Sequence, residues 1–187
     1  SWGLPFLDEG LYAKQGSLII LGGFPSDGKT ALPLQLAYHL SQEKRIGFFS
    51  LETDEDTLFA RLFSSVSHVD GGKVKRRQLS DQDYARMMEK VQEVKARNLH
   101  LIRANSMTAK DIQAYSLSKK FEVIFIDYLQ LIVSSGGKSR YEKVTQISMD
   151  LHNMAQGNGI AVVALSQLSR QEKGNQKPRP PRLSDLR

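Results

Sequence analysis

The sequence predicts an α/β domain with a mainly parallel central sheet flanked by helices, and three observations predict it. Residues 123–126 and 160–165 are continuously apolar over strand length, as strands are when helices cover both faces of a parallel sheet. Segments between such runs open on capping residues and carry apolar side chains at helical spacing, so strands and helices alternate along the chain. A glycine-containing loop, residues 23–30, joins the first apolar run to the first helical segment, and ligands collect at such strand-to-helix turns.

Composition bounds the function. The chain has 187 residues, enough for one domain with a sizeable core, and 40% hydrophobic with 25% charged residues excludes a disordered chain. A net charge of +6 suits an anionic partner without demanding one. The absence of cysteine excludes disulfides and cysteine metal sites and suits a reducing compartment. Residues 1–5 do not form a signal peptide and no apolar stretch approaches a membrane span, so the expectation is a soluble cytoplasmic protein with no membrane partner.

In chain order, residues 1–16, with Gly3, Pro5, Gly10 and Gly16, read as an N-terminal segment packed on a domain of residues 17–187. Residues 17–21 form the first strand, and residues 31–40 the first helix, in which Pro33, lacking an N–H that only a first-turn position makes dispensable, predicts a kink. Residues 44–51 read as a second buried strand ending at Glu52. Thr53, Asp54, Glu55 and Asp56 supply the cap and first-turn carboxylates of a helix with Leu58, Phe59, Leu62, Phe63 and Val66 on its apolar face. Asp70, Gly71 and Gly72 break that helix, and the basic run from Lys73 to Arg77 reads as a solvated turn. Ser80 with Asp83 caps a long helix whose Tyr84, Met87, Met88, Val91 and Val94 read as core. Residues 98–103 alternate like a strand, with His100 structural because no second ligand sits at metal spacing. Thr108 and Asp111 start a helix with Ile112 and Tyr115 turned inward, and residues 123–127 form an apolar strand closed by Asp127. Residues 134–138 read as a flexible loop. Tyr141, Val144, Ile147, Leu151 and Met154 mark one face of a helix ended by Gly157 and Gly159, and residues 160–165 form the last strand. Beyond Ser166 the chain turns basic and proline-rich and predicts a mobile loop over residues 168–187.

The loop fits the pattern G-x-x-x-x-G-K-[ST] from Gly23 to Thr30, in the strand–loop–helix context that the pattern needs. Backbone N–H groups of Gly23, Pro25–Ala31 and the helix start would cradle a polyphosphate, excepting the proline, which has no N–H. Pro25, Ser26, Asp27, Gly28, Lys29, Thr30 and Ala31 are thus the cofactor-binding candidates with Gly23; Lys29 neutralises the terminal phosphates and Thr30 offers its hydroxyl to magnesium. Asp127 closes a buried strand, where such a site needs a second acidic group near the metal. Glu52 also closes a strand. Two readings stand for it: a carboxylate that orients and deprotonates an attacking water, or a member of the helix cap that follows. Gln167 follows the last strand on the same edge, either hydrogen-bonding the terminal phosphate or serving as an ordinary surface amide. Lys138, Arg140 and Lys143, and beyond the last strand Arg170, Lys173, Lys177 and Arg179, are candidates for nucleic-acid phosphates against the alternative of a solvated charged face; Tyr141 reads as core.

Taken together, the stretches GFPSDGKT (residues 23–30), SLE (50–52), VDGGKV (69–74), LSDQDYARM (79–87), IDYLQL (126–131), VVALSQLSR (162–170) and SDLR (184–187) resemble the ATPase domain of DnaB-type replicative helicases, a branch of the RecA-like P-loop motors. The resemblance spans nearly the whole chain. It implies ATP and Mg2+ as cofactors, hydrolysis between subunits of a homo-hexameric ring, and 5'-to-3' translocation on single-stranded DNA in a bacterial or phage replication system, with primase or a helicase loader as further partners. By motif position it implies Lys29 and Thr30 on phosphate and magnesium, Glu52 as catalytic carboxylate, Asp127 near magnesium, Gln167 as phosphate sensor, and both basic loops as DNA contacts. It also implies that the family's arginine finger and remaining strands lie beyond Arg187, so that the chain is a fragment. Asp27 departs from the family pattern by placing a carboxylate in the phosphate loop. The alternatives are a DnaB-like nucleotide-binding assembly module with weak hydrolysis, and a RecA-like ATPase of recombinase or clock type.

Overall fold

The structure, a computed structural model, describes residues 1–10, 14–24, 30–134 and 139–168, without the side chains of Phe6, Lys75 and Arg140. Strands β1 (Leu18–Gly23), β2 (Ile46–Ser50), β3 (Leu99–Arg103), β4 (Val123–Asp127) and β5 (Ala161–Gln167) form one sheet in the order β1-β5-β4-β2-β3. Every pairing is parallel. The predicted α/β class with a parallel central sheet is therefore the one observed.

Helices cover both faces: α1 (Pro5–Gly10), α2 (Ala31–Leu40), α3 (Glu55–Ser67), α4 (Gly71–Arg76), α5 (Asp81–Ala96), α6 (Ala109–Lys119) and α7 (Arg140–Asn158). Successive strand residues point to opposite faces, which splits the core in two. Phe48, Phe125 and Val163 pack with Leu34 and Ala37 of α2 and Leu58 and Leu62 of α3, while Phe49, Ile124, Ile126, Val162 and Ala164 pack with Ile112 of α6 and with Ile147, Leu151 and Met154 of α7. Trp2, Leu4 and Leu7 of the N-terminal segment lie against the first of these clusters.

The helix starts follow from their caps. Asp54 accepts a hydrogen bond from the Thr57 N–H at the head of α3. Reciprocal boxes, Ser80 with Asp83, Thr108 with Asp111 and Ser139 with Glu142, open α5, α6 and α7. Each satisfies two N–H groups that the helix itself leaves without partners.

Four expectations need correction. Pro33 stands third in α2, where its missing N–H removes no helical bond, and the helix runs unbroken from Ala31 to Leu40. Residues 71–76 form the short helix α4 rather than a turn, because Asp70 Oδ1 accepts from the N–H groups of Gly72 and Lys73 at 2.6 and 3.1 Å. Phe59, Tyr84 and Met88 are exposed, since α3 and α5 cover the sheet with Leu58, Leu62 and Val94 instead. Tyr141 is 71% exposed, in the first turn of α7, ahead of the point where that helix meets the sheet. The expected loop at residues 134–138 and the basic segment from 169 onward lie, apart from Ser134, outside the described residues.

Candidate functional site

Because all five strands run the same way, their C-terminal ends share one edge. Gly23 lies opposite Gln167 in the β1–β5 pairing, and Ser50 opposite Asp127 in the β2–β4 pairing. Thr30 stands at the N-cap of α2 yet makes no side-chain bond to that helix. Its Oγ1 instead donates to Asp127 Oδ2 at 2.8 Å. Asp127 is 3% exposed. A buried carboxylate needs hydrogen bonds or a cation to offset its lost hydration. The hydroxyl and carboxylate are hard oxygen donors of the kind magnesium takes. No group of three or more His, Cys, Asp and Glu side chains is gathered as a metal cage among the described residues. This sparse donor set fits magnesium, which keeps water and substrate phosphates in its shell.

Glu52 lies in the turn after β2. The Leu51 N–H donates to the Asp127 carbonyl at 2.8 Å, so the β2–β4 ladder reaches one residue short of it. The Ser50 hydroxyl closes the turn by donating to the Thr53 carbonyl at 2.7 Å and accepting from the Thr53 N–H at 3.0 Å. The α3 cap belongs to Asp54, whose carboxyl is held below its ordinary range by the Thr57 backbone and hydroxyl bonds. Glu55 and Asp56 supply the first-turn charges. Glu52 is thus an exposed carboxylate outside the cap.

Gln167, the last residue of β5, lies between the other two elements of the site. On one side Leu168 N–H donates to the Gly23 carbonyl at 3.0 Å. On the other side is Gln130, in a 3-10 turn (Leu129–Leu131) that follows Asp127. Gln130 Nε2 donates to Ser166 Oγ and to the Gln167 carbonyl at 2.9 and 3.0 Å, and Gln130 Oε1 accepts from the Gln167 N–H at 3.2 Å. Sequence reasoning does not single out Gln130 as a site residue. A lone amide in an apolar run carries no signal of a partner 37 positions away.

Of the remaining candidates, Ala31 is exposed at the start of α2 and Gly23 ends β1. Pro25, Ser26, Asp27, Gly28 and Lys29 lie outside the described residues, as do Lys138, Arg170, Lys173, Lys177 and Arg179. Arg140 opens α7, and in the same first turn Lys143 and Tyr141 are both exposed. None of the described helices is long and apolar enough to cross a membrane.

Comparison with known proteins completes the picture. A "Probable plasmid replicative DNA helicase" of Chlamydia trachomatis is 34% identical over 96% of this chain and 41% of its own length. The replicative DNA helicase DnaB of Rickettsia typhi is 35% identical over all of this chain and 41% of its own. The chain thus spans about two fifths of the length of these curated relatives. Among solved structures, one described as an ATPase domain superposes with a TM-score of 0.87 at 29% identity, covering 94% of this chain and 65% of that one. A DnaB-like replicative helicase, solved in work on its interactions with primase, gives 0.86 at 29% identity, covering 93% and 44%. The fold is accordingly RecA-like. Residues 3–187 match the sequence profile of the DnaB-like helicase C-terminal domain. The chain belongs to that family, the C-terminal domain of DnaB-like helicases.

Proposed function

We propose that this chain is the ATP-hydrolysing motor domain of a replicative DNA helicase, acting in a homo-hexameric ring that moves along single-stranded DNA. The observation that carries this is the contact between the buried Asp127 at the sheet edge and Oγ1 of Thr30, the last residue of the phosphate-loop sequence. The backbone of residues 23–31 and Lys29 hold the phosphates of ATP. Thr30 and Asp127 are the residues that hold Mg2+, which when bound supplies charge neutralisation on those phosphates. Glu52, outside the helix cap and exposed, orients the attacking water and accepts its proton. Gln167 hydrogen-bonds the terminal phosphate. Lys138, Arg140 and Lys143, with Arg170, Lys173, Lys177 and Arg179, bind DNA phosphates, and Tyr141, in the first turn of α7, is exposed. A bacterial or phage replication system in the cytoplasm, 5'-to-3' movement, and primase or a loader as partners accompany this reading.

The test is ATP turnover by the full-length protein with and without single-stranded DNA. DNA is expected to stimulate turnover, and Glu52→Gln to lower kcat by about a hundredfold or more while nucleotide still binds. Turnover indifferent to DNA overturns the motor. Asp27, a carboxylate inside the phosphate loop, favours a second reading, an assembly module that binds nucleotide and hydrolyses it poorly. Rapid wild-type turnover that collapses in Glu52→Gln excludes that second reading.

A further inference from the structure

The β4–β5 ladder has its last registered pair at Ile126 and Ala164, yet β5 continues to Gln167. Past Asp127 the chain leaves the sheet into the 3-10 turn, which would leave the β4-facing N–H and C=O of Gln167 without a strand to pair with. The Gln130 side chain takes that place. A primary amide offers two N–H donors and one carbonyl acceptor: Gln130 sets one N–H and its carbonyl oxygen against the C=O and N–H of Gln167, and gives the other N–H to the buried Ser166 hydroxyl. The frame around it is fixed: Leu129 and Ile132 are 2% and 4% exposed, and the turn closes through Leu131 N–H to the Tyr128 carbonyl. Gln167 is also tied to the first strand through Leu168 and Gly23.

We infer that Gln130 is a positioning residue for ATP hydrolysis: its amide extends the sheet by one peptide-like pair and so holds Gln167 in register between the phosphate loop at Gly23 and the strand that carries Asp127. The inference rests on the reading of Gln167 as the group that meets the terminal phosphate. A side chain at the end of a strand can sample several orientations if its own backbone frays, and displacement on the ångström scale is enough to lower a chemical step substantially. Gln130 acts on that geometry alone. It reaches no phosphate itself, so ATP binding does not depend on it.

The experiment is a double-mutant cycle on DNA-stimulated ATP hydrolysis by the full-length protein, with Gln130→Glu, Gln167→Ala and the double variant. The kcat is counted per nucleotide-binding site, so that partial unfolding does not enter. In Gln130→Glu the carboxylate still accepts from the Gln167 N–H but offers no donor to the carbonyl beside it. It is expected to lower kcat on the order of tenfold, with KM and Kd for ATP unchanged. The double variant is expected to be no slower than Gln167→Ala alone, because a residue that acts only through Gln167 has nothing left to position. Additive losses, or an unchanged kcat in Gln130→Glu while Gln167→Ala is slow, overturn the inference and leave the motor reading standing. An unchanged kcat in Gln167→Ala overturns the role of Gln167 itself, and the inference with it. Gln130→Met, which keeps the length of the side chain and removes both hydrogen-bonding ends, is the second variant, and the same outcomes are read from it.

Discussion

Thr30 turns its hydroxyl away from its own helix. A threonine at an N-cap ordinarily accepts from an N–H of the first turn, whereas this one donates to Asp127. The residue type is what a helix start selects, but its use is set by a strand remote in sequence. Gly47 shows the opposite case, a residue chosen by packing alone. A Cβ there would lie 2.6 Å from the ring of Phe121. That ring is itself enclosed by Phe49, Tyr115 and His100, with centroids at 6.3, 6.3 and 5.2 Å. Gly47→Ala is therefore expected to destabilise the domain by about 1–3 kcal/mol, read as a lower urea midpoint at unchanged slope. An unchanged midpoint would mean that the ring has room to move. His100 packs against Phe121 as a structural residue, and burial, with Arg45 and Lys119 nearby, holds its pKa below the ordinary histidine value.

At the scale of the element, helical spacing identifies a face but not how far the neighbouring layer extends. In α7, spacing puts Tyr141, Ile147 and Leu151 on one stripe, yet Leu151 is fully buried and Tyr141 is 71% exposed. Leu151→Ala is expected to cost about 2–5 kcal/mol, and Tyr141→Ala to change stability by no more than about 0.5 kcal/mol in the same denaturation assay. A loss in Tyr141→Ala as large as that in Leu151→Ala would put Tyr141 back in the core. The same overshoot explains Met88 and Tyr84 on α5. Helix α4 escapes sequence reading for another reason. Two glycines at its start are poor helix formers, and the helix depends on the Asp70 cap and on Lys73, whose Nζ stands 3.3 Å from Asp83 Oδ2 in α5. One of those supports is tertiary.

For the molecule as a whole, acid is the informative stress. Helices α2 and α5 are joined by Glu93, which accepts from Lys90, Tyr38 and Arg97 at 2.9, 2.8 and 3.0 Å, with the Arg97 guanidinium 4.6 Å from the Tyr38 ring centre. The Lys90 bond first, then those from Tyr38 and Arg97, hold the Glu93 pKa down to about 2 against an ordinary 4.5. A depressed carboxylate stabilises the folded state fully above its unfolded pKa, and that contribution fades as pH falls from about 4.5 through about 2. Glu93→Gln is expected to lower Tm at neutral pH and to make Tm less steep in that acid window. Equal acid slopes for both proteins would show that the cluster does not join the helices in solution.

The sequence by itself determined the class of fold, the order of the five strands and of the helices other than α1 and α4, the capping pairs Ser80 with Asp83 and Thr108 with Asp111, and the candidate residues at the sheet edge. All of these are local patterns: a continuously apolar run, a spacing of three and four, a serine or threonine three positions before a carboxylate. Tertiary structure decided which of those residues meet. The order β1-β5-β4 sets one strand between the strand before Thr30 and the strand that ends in Asp127, and brings together two side chains 97 positions apart. It freed Glu52 from the helix cap by giving that place to Asp54, and it joined Gln130 to Gln167. The physical reason is common to all three. A periodic pattern records which side of an element faces the core, whereas strand order is fixed by which long crossovers bury the most apolar surface together, and no stretch of chain carries that information alone.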